Sequence, residues 1–412
     1  MISVGEAHRI IRAALPAPEK ELVSSGALAG RVLAQDILAG WPQPRFTNSA
    51  MDGFAVRAGD LEGASWAHPV SLKLVGVAAA GQPGDLLVGP GECAQIMTGA
   101  PLPGGADAVV MVERTSGYED SPVQIYHAAK VGDHVRQAGE EVNEGQQLIP
   151  AGTSIGPGEL GTIATFGLAE VEVYRRPQVG IFSTGDELQE PGEPLAPGQI
   201  YNANLPVLRQ LVELAGAEVS VAQVVRDDPE VLRSLMGQAL DICDVVMASG
   251  GVSMGRFDHV RPVMTELGVK ELFWKVAQKP GKPFLFGKGP RGIVFGLPGN
   301  PVSSFIVFLE YVWPVLGRIQ GMAPAQKTSA WLTAPFPVEQ DRHRFLFGRI
   351  QVEGDRLLAA PTEKWGSHML TSALHVNAIL EAPPGRVSLS EGELVTVNQL
   401  PWAAIDLPAE RP

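Results

Sequence analysis

The chain has 412 residues and a formal net charge of −13, an acidic balance with no field to draw a nucleic-acid backbone. Hydrophobic residues are 45% and charged residues 19%, the reverse of a disordered composition. Glycine (47) and proline (34) are about one residue in five without a strict glycine period, which excludes collagen and indicates many shaped turns.

The first predicted element is a helix. Ser3 and Glu6 form a capping box, and Ala7, Ile10, Ile11, Ala14 and Leu15 share one apolar face before Pro16 and Pro18 stop it. Glu6, His8, Arg9 and Arg12 interrupt any signal-peptide core. A mixed segment over 20–40 ends in Trp41-Pro-Gln-Pro44. From about 41 to 137, short β-type runs (Ser71–Val77, Ala108–Val112, Val123–Tyr126) are split by Gly/Pro turns, which reads as a β-rich domain. Residues 138–173 return to mixed texture, so the β-rich region reads as an insertion into a discontinuous domain.

From about 174 to 318 strands and helices alternate. The strands are Val179–Phe182, Val219–Val225, Val245–Ala248 and Gly292–Phe295. The helices are Asn204–Ala215, one that opens at Asp228-Pro229 as N-cap and N1, one capped by Asp258 with Val260, Val263, Met264 and Leu267 on its inner face, and the apolar helix after Pro301. Such alternation predicts a parallel sheet covered on both faces, with ligands outside the carboxyl ends of the strands. The run Phe305–Leu309 stops at Glu310, short of the ~20 apolar residues of a membrane helix. After about 327 short strands and turns predict a small β-barrel or sandwich. Cys93 and Cys243 form neither a zinc motif nor a disulfide framework and read as free buried thiols in a reducing, cytoplasmic setting.

Three predicted strand ends carry small polar loops: Ser183-Thr-Gly-Asp-Glu-Leu188, Ser249-Gly-Gly-Val-Ser-Met-Gly255 and Gly296-Leu-Pro-Gly-Asn-Pro301. They should converge on one ligand pocket. Gly251-Val-Ser-Met-Gly255 also matches the G-x-S-x-G elbow of serine hydrolases; the other reading is a backbone nest in which Gly250 and Gly251 aim N–H groups at an anion. Gly287-Lys-Gly-Pro-Arg-Gly292 matches G-x-G-x-x-G but precedes a strand rather than a helix, so it reads as a hairpin turn. Lys270 to Arg291 holds five lysines and one arginine against one acid, Glu271, a net of +5 in an acidic chain. Within it Lys279-Pro-Gly-Lys-Pro283 fixes two ammonium groups with prolines, which suits an oxyanion. Asp186, Glu187, Asp227, Asp228 and Asp258 are oxygen donors of the kind Mg²⁺ takes beside a substrate phosphate, with Asp227 weighted above Asp228 because the latter reads as a helix cap. Upstream, Asn48-Ser-Ala-Met-Asp-Gly53 and Met97-Thr-Gly-Ala100 are polar loops open to either a turn or a site role.

These motifs, in this order, with Leu297-Pro-Gly-Asn-Pro-Val-Ser303 and Gly366-Ser-His-Met-Leu-Thr-Ser372, resemble the MoeA family of molybdopterin molybdenumtransferases, which includes the gephyrin E domain, over essentially the whole length. The resemblance implies an elongated multidomain fold of α/β and β architecture: a discontinuous α/β domain I (20–40 and 138–173), an inserted β-rich domain II (41–137), a three-layer, parallel-rich α/β molybdopterin-binding domain III (1–19 and 174–326), and a C-terminal β-barrel domain IV (327–412). It implies a homodimer, molybdopterin adenylyltransferase and other cofactor-biosynthesis proteins as partners, and neither nucleic acid nor membrane. The implied reaction inserts molybdate into adenylylated molybdopterin, with Mg²⁺, and releases AMP.

By motif, the resemblance assigns catalytic positions to Asp52, Thr98, Glu187, Asp227, Asp258, Lys275 and Lys279, with Asp227, Asp258 and Glu187 toward the metal. It assigns substrate contacts to Ser183, Thr184, Gly185, Asp186, Ser249, Gly250, Gly251, Ser253, Pro298, Asn300 and Pro301. Molybdate falls to Lys279, Lys282, Pro283, Arg342 and Ser367. The family's Gly-Arg-x-Glu-Phe reads Asp341-Arg-His-Arg-Phe345 here, Glu141 stands for its Asp, and Phe54 for its Tyr. Two alternatives to the transferase remain at this level: a gephyrin-type scaffold and a hydrolase using Ser253.

Overall fold

The computed structural model describes residues 1–82, 85–251, 259–385 and 388–405. Ser253 and Asp258 therefore lie outside the described residues. The chain divides into two compact units, Met1–Ala34 with Gly152–Gly156 and Glu170–Pro412, and Gln35–Ala151 with Pro157–Ala169.

In the first unit, helix α1 (Val4–Ala14) begins where Ser3 accepts the Glu6 N–H at 3.1 Å; Glu6 turns its own carboxylate to Arg9. Lys20–Ser24 pairs antiparallel with Glu170–Tyr174. The α/β elements follow: β1 Gln178–Thr184, α2 Asn204–Leu214, β2 Glu218–Val225, α3 Pro229–Ile242, β3 Val245–Ser249, α4 Val260–Glu266, β4 Lys270–Trp274, β5 Leu285–Lys288, β6 Ile293–Leu297 and α5 Pro301–Val307. Asp228 caps α3 as expected, accepting from Glu230 N at 2.9 Å and Val231 N at 3.2 Å. His259, the residue before α4, makes no side-chain cap bond, and the expected cap, Asp258, lies outside the described residues.

The sheet order is β2-β1-β3-β6-β5-β4. The first four strands run parallel, and β5 and β4 complete the sheet antiparallel. The β5–β6 connection is the hairpin expected over Gly287–Gly292. Period-two alternation divides the apolar side chains between two faces. Ile181, Val245 and Met247 join α1, α2 and α5 in one core, while Phe182, Val246 and Ala248 join α3 and α4 in the other. The connection after β1 runs to β2 on one side and that after β3 runs to β4 on the other, so the crevice at this switch point opens at the carboxyl ends of β1 and β3.

Helix α5 continues as a π-helical turn, Phe308–Val312, into α6 (Trp313–Ile319). The wide turn coincides with Pro314, which cannot donate to the Glu310 carbonyl one turn back. Among the described residues this 19-residue stretch is long and apolar enough to cross a membrane, but most of it is buried inside the unit. Glu310 in its middle is buried and paired to His8 at 2.7 Å and to Lys327 at 3.0 Å.

The last strands, β7 Thr328–Leu332, β8 His343–Glu353, β9 Arg356–Pro361, β10 Ala378–Ala382 and β11 Leu394–Gln399, run in the order β8-β9-β7-β11-β10. A β8–β10 pairing closes them into a five-strand barrel around Phe336, Leu346, Ile350, Leu380 and Val397. A two-residue strand, Gln278–Lys279, pairs parallel with the start of β8 and so ties the loop after β4 to the barrel.

The second unit holds a five-stranded sheet in the order Ala108–Met111, Gly53–Val56, Glu92–Ile96, Val70–Ala78, Val123–Ile125. Its core is Phe54, Val56, Leu72, Cys93, Val110, Val123 and Ile125. Both cysteines are free and buried, and burial pushes each thiol up to about 11.

Candidate active site

The three polar loops meet. Ser183, Thr184 and Gly185 after β1, Ser249, Gly250 and Gly251 after β3, and Pro298, Asn300 and Pro301 after β6 line one cavity of about 650 Å³, together with Glu187 and Asp227. The β3 loop must be glycine: Gly250 has φ +93°, and a Cβ there would stand 2.6 Å from the Thr184 carbonyl. Its N–H, expected to face an anion, donates instead to the Leu297 carbonyl at 3.2 Å.

Two asparagines that the sequence reading passed over complete this wall. Asn204, at the start of α2, donates to both Ser249 Oγ and the Gly299 carbonyl at 2.8 Å, holding two loops in register. Asn202 accepts from Ser183 Oγ and Leu205 N through Oδ1. Its Nδ2 and the Thr184 hydroxyl are buried without a hydrogen-bond partner among the described residues, so the cavity wall keeps a donor and a hydroxyl for a ligand. Burial, then the charges of Asp186 and Glu187, push the Asp227 carboxyl above its ordinary value. Asp186 accepts the Asp227 N–H at 3.2 Å and does not line the cavity.

A second cavity, of about 530 Å³, shares Pro283, Asn300 and His368 with the first. Its floor is Lys279-Pro-Gly-Lys-Pro283, and its far side is Arg342, Arg344 and Trp365–His368 from the barrel. The floor is rigid for a visible reason. Fully buried Gln278 accepts from Tyr311 Oη and donates to the Pro280 and Gly281 carbonyls at 3.2 and 3.3 Å. Gly281, at φ +90°, leaves no room for a Cβ, which would stand 2.6 Å from Gln278 Nε2. Asn300 Nδ2 donates to Ser367 Oγ at 3.0 Å, joining the two cavities' walls. Glu339 binds Lys279 and, at 2.8 Å, Arg342; the Lys279 hydrogen bond first, then Arg342, hold its carboxyl below the ordinary value against burial.

The remaining expected residues stand elsewhere. Lys275 lines neither cavity; its ammonium lies 3.8 Å from the centre of the Trp274 ring. Asp52 and Thr98 belong to the second unit and bind each other: Thr98 N–H and hydroxyl donate to Asp52 Oδ1 at 2.7 and 2.9 Å, which lowers that carboxyl. Among the described residues, no three His, Cys, Asp or Glu side chains close a metal cage. His368 and Arg344 stand inside motifs quoted from the sequence, Gly366–Ser372 and Asp341–Phe345, but were given no role there; Glu339 lies in no motif, and its part follows only from its contacts with Lys279 and Arg342.

Topology defines the class first. A doubly wound sheet with a polar cavity at its switch point occupies residues that match the family model described as a probable molybdopterin binding domain, 180–318. The flanks narrow this further: residues 2–167 match the MoeA N-terminal region (domain I and II), and 329–400 the MoeA C-terminal region (domain IV). Curated proteins named molybdopterin molybdenumtransferase are similar along the whole chain. The one from Nostoc sp. is 36% identical over 93% of this chain and 89% of its own length, and that from Haemophilus influenzae 34% over 97% and 98%. The crystal structure of a molybdopterin biosynthesis MoeA protein from Pyrococcus horikoshii superposes with a TM-score of 0.84 at 35% identity, over 97% of this chain and 99% of that one. The chain belongs to the MoeA family of molybdopterin molybdenumtransferases.

Proposed function

We propose that this protein inserts molybdate into adenylylated molybdopterin and releases AMP. The observation that carries the reading is the pair of adjoining cavities, one polar and lined by hydroxyl and amide groups, the other cationic, sharing Pro283, Asn300 and His368. The first suits a pterin phosphate held by Ser183, Thr184, Ser249 and Asn204, and the second suits a tetrahedral dianion held by Lys279, Lys282, Arg342 and Ser367.

In the balanced reaction, a phosphoanhydride P–O bond breaks, water adds its OH to one phosphorus, and AMP leaves. The two dithiolene sulfurs replace two molybdate oxygens, which depart as water after protonation. Molybdenum remains in oxidation state VI, so no electron donor is needed. The ammonium and guanidinium groups hold the dianion and offset its charge as it approaches the sulfurs. Asn204 and Gln278 keep the two walls rigid, so little reorganisation accompanies binding.

Mg²⁺ fits the acidic side of the first cavity. The raised Asp227 carboxyl marks a cluster of negative charge that a divalent cation would neutralise, and this ion is commonly held by one or two carboxylates plus substrate phosphate. Asp227 and Glu187 would hold it, with Asp258 the further expected ligand, and it would supply Lewis-acid polarisation of a phosphate oxygen. On the same reading the protein is a homodimer that receives its substrate from an adenylyltransferase.

The test is molybdate-dependent AMP release from adenylylated molybdopterin. Lys279→Ala and Asp227→Asn should each lower it by at least tenfold. Release that is unchanged in both variants would remove the assignment.

A further inference from the structure

The cationic cavity contains a group that the family motif does not supply. The resemblance would place an acid there, in Gly-Arg-x-Glu-Phe, where this chain has Arg344. It is the register partner of Lys279 in the short parallel pairing between the floor loop and β8, so the two cations sit side by side on the cavity wall. Arg344 is only 3% exposed, yet its Nε and Nη1 have no hydrogen-bond partner among the described residues.

Arg342 Nε shares this lack of a hydrogen-bond partner among the described residues, but its Nη2 is held by a carboxylate. Lys279 and Arg342 are both bound by the single carboxylate of Glu339. Lys279, Lys282, Arg342 and Arg344 against Glu339 and Asp341, the latter 3.6 Å from Arg342 Nε, leave a formal excess of two positive charges around the cavity. A guanidinium does not discharge by losing its proton at any working pH, so burial without a partner is unfavourable. Desolvation already weakens its hold on that proton, with Glu339 opposing and Arg342 assisting the effect. A dianion entering the cavity would balance that excess and give the buried guanidinium the opposite charge it lacks.

We propose that Arg344 is a specificity-determining group of the oxyanion cavity, its guanidinium lining the wall beside Lys279 and selecting a tetrahedral dianion over a monoanion. The assignment rests on the reading of this cavity as the oxyanion site. It makes the chain's site more cationic than the family motif provides, at the expense of the empty protein's stability.

Calorimetric titration with sodium molybdate, and with perrhenate as a tetrahedral monoanion of nearly the same size, tests it. The proteins are wild type, Arg344→Gln, Arg344→Lys and, as a control on the site itself, Lys282→Ala. Loss of one charge-assisted hydrogen-bonding group should weaken molybdate binding in Arg344→Gln by about tenfold or more. Perrhenate should weaken less, so the preference for the dianion narrows. Arg344→Lys should recover part of the preference, since it restores the charge but not the planar guanidinium. Without anion, Arg344→Gln should melt at or above the wild-type temperature. Wild-type molybdate affinity in Arg344→Gln, with Lys282→Ala impaired, overturns the role of Arg344 and leaves the site reading intact. A lower anion-free melting temperature in both Arg344 variants also overturns it, because the guanidinium is then structural. If wild type binds no molybdate, or if Lys282→Ala and Arg344→Gln both bind it normally, the site reading falls and the assignment falls with it.

Discussion

Replacing Lys327 by methionine should destabilise the first unit through a charge cluster that no motif announces. Lys327 Nζ lies 3.0 and 3.1 Å from the two Glu310 oxygens and 2.8 Å from Glu381 Oε1. Those carboxylates keep only 3% and 8% side-chain exposure, with His8 at 2.7 Å and His343 at 3.2 Å as their other partners. Removing one member of a buried ion pair typically costs about 3–5 kcal/mol, because the remaining charge stays desolvated. Lys327 itself is 36% exposed, so water replaces part of what it gives, and the lower end, about 3 kcal/mol, is the expected loss. At about 2 °C per kcal/mol for a unit of this size, the melting temperature should fall by about 6 °C at pH 7.

The pH dependence has a definite sign. Burial opposes ionisation of Glu381, but hydrogen bonds and charge from His343 and Lys327 outweigh it and hold the carboxyl below its ordinary 4.5. That contribution is present above the unfolded value and is lost as the pH falls through the folded one. The gap between wild type and Lys327→Met should therefore be largest near neutrality and shrink below about pH 4.5. Lys327→Met combined with Glu310→Gln and Glu381→Gln should recover much of the loss, because no buried charge is then stranded. Thermal or urea denaturation at pH 7 and pH 4 measures all of this. A loss under 1 kcal/mol at pH 7, or a gap that widens toward acid, would refute the reasoning.

Asp228→Ala should cost about 1 kcal/mol in urea denaturation, the usual price of an N-cap, while leaving AMP release near wild type, since Asp228 serves α3 and not the cavity. Gly250→Ala should abolish AMP release in the steady-state assay and destabilise by about 1–3 kcal/mol, because alanine at φ +93° also collides with the Thr184 carbonyl. With thiols at about 11, Cys93 and Cys243 should be only about one part in a thousand thiolate at pH 8. A chromogenic disulfide reagent should therefore find no fast thiol in the folded protein and two after denaturation.

The contrast between what the sequence shows and what it hides follows from range. The parallel strands were legible because strands buried on both faces are continuous apolar runs, as in Val245–Ser249. Asp228-Pro229 was legible because a cap and a proline act within one turn. The three ligand loops were legible because each is punctuated by glycine or proline beside a polar group. Composition alone could not divide that punctuation by purpose: Gly250 and Gly281 shape cavities, whereas Gly292 follows a hairpin turn.

The charges were harder to read because their partners are distant in sequence. Lys279 was expected to face substrate directly, yet in this structure it is bound by Glu339, 60 positions further on. Arg344, a departure from the family motif, gains its meaning only from a two-residue parallel pairing that places it beside Lys279. A pairing that short has no periodicity to detect, and the hydrogen bond that Gln278 within it accepts from Tyr311 Oη spans 33 positions. The cationic cavity is thus a product of how the barrel docks on the α/β sheet. On the proposed reading, a charge substitution at Arg344 in β8 alters oxyanion selectivity without touching the three loops at the strand ends.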